Sequence, residues 1–134
     1  MGAMPGENDL PTLLRDMAPH HNPGEYVFCS MGAGERIPAN DLIGTFRERE
    51  GLTVILAKQR ADELRLPYST TLAWITLTVH SDLEAVGLTA AVSHALAEAG
   101  ISCNVVAAYY HDHLFVPVKD SARALAILQK LSSS

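Results

Sequence analysis

The densest group of chemically capable side chains is "YYHDHLFVP", residues 109–117, where His111 and His113 flank Asp112 behind two tyrosines. Two imidazoles around a carboxylate could ligate a metal or work as an acid–base pair, because histidine titrates near neutral pH and binds metals well. His80 could add a third imidazole, giving His80, His111, Asp112 and His113 as the set for a metal-binding protein or metal-dependent enzyme. Zinc needs three or four donors converging at about 2.0–2.2 Å. No HExxH helix, cysteine ligand or second carboxylate pair joins these residues. Neighbours on a tight turn also tend to point apart, which counts against an acid–base pair. The plainer reading makes residues 111–113 the turn of a hairpin, whose polar tip frames a pocket or a subunit contact. Tyr109 and Tyr110 then point to opposite sheet faces, one of them inward. No catalytic residue, metal or cofactor is assigned.

A second group lies upstream, in "VHSDLEAVGL", residues 79–88. Gly87 has no Cβ, so a ligand can approach its backbone closely. The free N–H groups and dipole of a helix beginning there would favour a carboxylate. Asp82 and Glu84 could answer an ammonium or a basic side chain, and Asn104 offers both a donor and an acceptor. Each of these residues also has a structural reading. Ser81 and Glu84 fit a capping box, Gly87 could serve helix–sheet packing, and Asn104 could bond to backbone at a strand end.

The positioning elements follow from periodicity. Residues 10–17 carry Leu10, Leu13, Leu14 and Met17 at helical spacing. "PHHNPG", 19–24, reads as a loop that holds His20 and His21. Strands are expected at 25–31 and 52–57, with a loop at 32–40 and a short helix at 58–66 stopped by Pro67. Residues 41–50 read as a helix capped by Asp41, with Leu42, Ile43 and Phe46 on one face; a strand is the alternative. In 74–80, Ile75, Leu77 and Val79 alternate with Trp74, Thr76, Thr78 and His80, as in a strand. A helix follows within 81–100, with Leu88, Val92, Ala95, Leu96 and Ala99 as its apolar stripe and Gly100 as its stop. Strands at 102–110 and 114–118 and a helix at 119–131, capped by Asp120 or Ser121, complete the chain. Strand, helix, strand, strand, helix describes a ferredoxin-like α+β sandwich with helices on one face of the sheet.

Composition narrows the function. Of the 134 residues, 48 % are apolar, enough for a buried core. The formal charge of −5, with no basic run, argues against nucleic-acid binding. Cys29 and Cys103 fit neither a redox pair nor a zinc knuckle and read as free thiols. No signal peptide, myristoylation signal or membrane-length apolar run is visible, so a cytoplasmic protein that does not contact membranes is expected.

"VHSDLEAVGLTAAVSHALAEAGISCNVVA" resembles the core of ACT domains, the small amino-acid-sensing modules of metabolic enzymes. The matching elements are Val79, the step Val86-Gly87-Leu88, the helix end Gly100-Ile101, and the strand bearing Asn104 and Val105. The chain is also similar to a small bacterial family of stand-alone proteins with paired ACT-like units, in the stretches "HSDLEAVGLTAA" and "NVVAAYYHDHLFVP". More distantly it is similar to aspartate kinase regulatory regions and cytosolic arginine sensors. The likeness runs from about residue 24 onward and is specific between 74 and 118. It implies a tandem pair, a degenerate unit at 1–68 and a second at 69–134. It implies no settled activity. The expectation is a non-enzymatic module binding a small metabolite, an amino acid, at His80, Ser81, Asp82, Glu84, Val86, Gly87, Leu88, Asn104, Val105, His111, Asp112 and His113; the alternatives are the metal-binding set above and a structural protein-interaction module whose ligand site has decayed. With no output domain attached, regulation would require a partner protein. A sheet with helices on one face leaves Trp74 and Thr76 on the other, so a homodimer is expected.

Overall fold

A computed structural model of the chain describes residues 9–32, 35–78 and 87–133. Four helices are described: α1 (Leu10–Asp16), α2 (Lys58–Glu63), α3 (Leu88–Glu98) and α4 (Ser121–Ser133). Six strands, β1 (Pro19–Met31), β2 (Leu42–Arg47), β3 (Leu52–Ala57), β4 (Leu72–Leu77), β5 (Asn104–Ala107) and β6 (Asp112–Pro117), form one antiparallel sheet in the order β2-β3-β1-β4-β6-β5. That order is a mirrored pair. Each half places its first strand at the centre, its third next and its second at the edge. The halves differ between first and second strands, where the C-terminal one has α3 and the N-terminal one only a short 3-10 turn at Ala39–Asp41.

All four helices lie on one face. Ala73, Ile75 and Leu77 of β4, with Leu114 and Val116 of β6, form a core with Leu88, Val92 and Leu96 of α3 and Ala124 and Leu128 of α4; Leu10 and Leu14 of α1 pack against it. Val27, Cys29, Val54 and Leu56 pair with Ala61 of α2 in the same layer. The predicted stripe of α3 is the buried one. Its end is a Schellman motif: Gly100 at φ +74° allows Ile101 N–H to reach Leu96 O and Gly100 N–H to reach Ala97 O, both at 2.9 Å.

Three local expectations are corrected. Residues 19–24 are not a loop, because β1 starts at Pro19 and its first part pairs with β4 from Pro19↔Leu77 to Asn22↔Trp74. Pro19 sits at the strand's first residue and Pro23 in a bulge between Asn22 and Tyr26, two places where a strand tolerates proline. Residues 42–47 form a strand, not a helix. The backbones of Glu48 and Gly51 bond each other to close a hairpin onto β3, and Asp41 pairs with Arg60 at 3.0 Å instead of capping a helix. The β5–β6 turn lies earlier than residues 111–113. Ala108 N–H bonds His111 O at 3.0 Å, which puts Tyr109 and Tyr110 at the tip and makes Asp112 the first residue of β6. Both tyrosines are therefore exposed and pack edge to face on each other, neither turning inward. The described part of α3 opens at Leu88 on Gly87, and the capping-box residues Ser81 and Glu84 lie outside the described residues.

Candidate functional site

The end of the sheet where β4 leaves for α3 gathers several of the predicted residues. Register places Leu77 opposite Asp112, and Asp112 opposite Ala107, so the β5–β6 turn sits at this end. Thr78 is anchored there, its N–H and hydroxyl both donating to Ala18 O at 3.1 and 2.9 Å. The chain returns at Gly87, which has φ +112° and supplies no side-chain cap to α3. Gly87 O accepts the first helical bond from Ala91 N–H at 2.8 Å. The first turn of α3 thus presents N–H donors that no capping side chain of residue 87 consumes. His80, Ser81, Asp82, Glu84 and Val86 lie outside the described residues.

Gly87 also has a structural reason to be glycine. A Cβ there would stand 3.1 Å from Leu10 Cδ2 of α1, and the positive φ disfavours any side chain. Its packing role is against α1, where the sequence reading expected the sheet.

Strand alternation separates the rest. Asp112 shares the helix face with Leu77, while His113 pairs with Thr76 and faces the opposite side. Burial raises the Asp112 carboxyl above its ordinary range, partly offset by His113 and His111. Asn104 and Val105 begin β5, and Asn104 lies opposite Phe115 on the helix-free face. There it lines a cavity of about 190 Å³ with Ser69, Thr70 and Ser102. Asn104 and the start of α3 are therefore on opposite faces. The His-Asp-His triplet does not converge, and among the described residues no group of three His, Cys, Asp or Glu could hold a metal.

The helix-free face holds an arrangement that sequence reasoning missed. Trp74 Nε1–H donates to His113 Nδ1 at 3.0 Å, and the Thr76 hydroxyl lies 3.0 Å from the same nitrogen. Indole nitrogen only donates, so Nδ1 is the acceptor and the neutral ring carries its proton on Nε2. Asn22 Nδ2 donates to Thr76 Oγ1 at 2.9 Å, extending the chain of bonds across β1, β4 and β6. Burial lowers the pKa of His113, aided by His111 and opposed by Asp112. Trp74 stacks on Phe115, and Phe28 and Tyr26 meet this pair edge-on. The bulge in β1 increases the bend of the sheet, and its two edges wall one cavity of about 220 Å³. Ile43, Gly44 and Ile55 line it from the N-terminal half; Trp74, Val106, His113 and Phe115 line it from the other. The alternation in 74–80 already put Trp74 and Thr76 on one face; only the pairing of β4 with β6 brings His113 beside them.

Mirrored halves, each with a central first strand, define a tandem pair of α/β units sharing one antiparallel sheet. Residues 5–73 match one ACT-domain family and residues 69–130 another. The chain belongs to the ACT-domain family. No curated protein matches it in sequence. Among solved structures, it is similar to a Vibrio cholerae protein of unknown function described as a possible transport protein, at 48 % identity over 92 % of this chain and 95 % of that one, with a TM-score of 0.83. The fold is shared with the regulatory subunit of Thermus thermophilus aspartate kinase (10 % identity, 84 % of this chain and 95 % of that one, TM-score 0.58). It is also shared with E. coli aspartokinase III solved with aspartate and ADP (12 % identity, 88 % of this chain and 33 % of that one, TM-score 0.60).

Proposed function

We propose that the chain is a non-catalytic, cytoplasmic sensor that binds an amino acid at the β4–α3 end of the sheet. The observation that carries this reading is the start of α3: an eleven-residue helix opens on a glycine, with no side-chain cap among the described residues, which suits a carboxylate. Asp82 and Glu84 would face the ammonium, with His80, Ser81, Val86 and the nearby Asp112 completing the site. Binding would favour one of two arrangements of the units, here taken as 1–68 and 69–134, and a partner protein would read the change. A further part of the reading is a homodimer built on the exposed apolar side chains Phe46, Tyr109 and Tyr110. Light scattering showing only a monomer across a wide concentration range would remove the homodimer.

The test is a thermal-shift screen against the common amino acids. A ligand at 100 times its dissociation constant adds about 2.7 kcal/mol of stability. Asp82→Ala should then weaken the hit about ten-fold or more, from the loss of a charge-assisted bond worth roughly 1.5–3 kcal/mol. Equal binding by folded Asp82→Ala would move the ammonium contact elsewhere.

A further inference from the structure

We propose that the cavity on the helix-free face is a second binding site, taking a small neutral molecule, ring-sized and mostly apolar, with one hydrogen-bond acceptor. It is distinct from the β4–α3 end and does not depend on the amino-acid reading.

Size comes first. An engineered apolar cavity of about 150 Å³ takes benzene. A cavity of about 220 Å³ therefore has room for a ring with a few further heavy atoms. The walls supply the chemistry. Trp74, Phe115, Ile55 and Ile43 give apolar and aromatic surface, and none of the lining residues is Lys, Arg, Asp or Glu. A charged ligand would lose its hydration without gaining a counter-ion. The polar ring on the wall is His113. Its Nδ1 is engaged by Trp74 and Thr76, so Nε2–H is the donor it can offer a ligand.

Gly44 is the second observation. It lies on the edge strand β2 and lines the cavity, yet its φ is not positive. A Cβ there would meet only Ile55 Cδ1, at an ordinary 3.6 Å. Gly44 follows a register shift between Leu42 and itself, but with φ not positive and no crowding neither the irregularity nor the neighbours require glycine at a strand position where it weakens the sheet. Its effect is to keep the space open. Because the walls come from both halves, an occupant would tie the two edges of the sheet together.

Trp74 is the single tryptophan of the chain, so its indole N–H gives one NMR cross-peak at the cavity wall. The experiment titrates the full chain with acetophenone, ethylbenzene and benzoate. Acetophenone should shift this peak saturably. Ethylbenzene, lacking the acceptor, should bind several-fold more weakly, and benzoate at least ten-fold more weakly. Gly44→Val should abolish the acetophenone response. The proposal is overturned if acetophenone gives no saturable shift, if benzoate binds as well as the ketone, or if folded Gly44→Val binds like the parent. Should Gly44→Val not fold, the ranking of the three probes on the unaltered chain still decides it.

Discussion

Replacing Gly87 by alanine tests how much of this residue's role is structural. Two costs add. Holding an L-residue at φ +112° is unfavourable by about 1–2 kcal/mol. The new methyl would also stand 3.1 Å from Leu10 Cδ2, so the side chain of α1 must give by a few tenths of an ångström. The sum is about 1–3 kcal/mol of lost stability. For a chain of this length each kcal/mol lowers Tm by about 3–5 °C. Urea unfolding followed by circular dichroism should show a lower midpoint with an unchanged slope. Leu10→Ala in the same chain should recover the steric part and leave the backbone part. A Gly87→Ala stability within about 0.5 kcal/mol of the parent would show that neither cost is present. The expected outcome has a consequence for function: lost binding in a bulkier variant such as Gly87→Val would mix folding with recognition, so the ligand is the better place to make the change.

Other outcomes follow from burial. The folded pKa of His113 is below the ordinary 6.5, so the unfolded chain takes the proton first. Stability should therefore be full above about pH 6.5 and fall below it, and His113→Gln should flatten that slope; equal slopes in urea titrations would contradict it. Asp112 is displaced the other way, its folded pKa raised, so its cost sets in as pH rises above the ordinary 3.8 and through the folded value. Asp112→Asn should raise Tm at pH 7, with the gain vanishing in acid; a lower Tm at pH 7 would show that the carboxylate is stabilising. Burial pushes the Cys103 thiol from 9.0 up to about 11, which leaves about 100-fold less thiolate at pH 8. Iodoacetamide should label it far more slowly in the native chain than in urea, and equal rates would contradict its burial.

The C-terminal half was largely legible because its patterns are clean. The alternation Trp74 to Leu77 and the stripe Leu88, Val92, Leu96 each have one physical solution, and Gly100 ended α3 as its type predicts. The N-terminal half misled through its punctuation. Pro19, Pro23 and Gly24 look like a loop, but a bulge let β1 pass through them. Leu42, Ile43 and Phe46 fit a helix face or a strand equally, and pairing with β3 decided it. Of the candidate site, Asp112 lies at the end of the sheet near Leu77, as the first residue of β6 and not in the turn its type suggested. That His113 and Asn104 face away from that end could not be read locally, because facing depends on register across β5, β6 and β4.

If α3 receives the carboxylate of an amino acid at the β4–α3 end of the sheet, affinity must depend on that negative charge. Calorimetric titration of the unaltered chain with the amino acid that most raises Tm, and with the carboxamide of the same amino acid, tests it most directly. Saturable binding of the acid and a loss of about ten-fold or more for the carboxamide are expected, since a charge-assisted bond is worth roughly 1.5–3 kcal/mol. Equal affinity for acid and carboxamide, or no amino acid that binds at all, would contradict it.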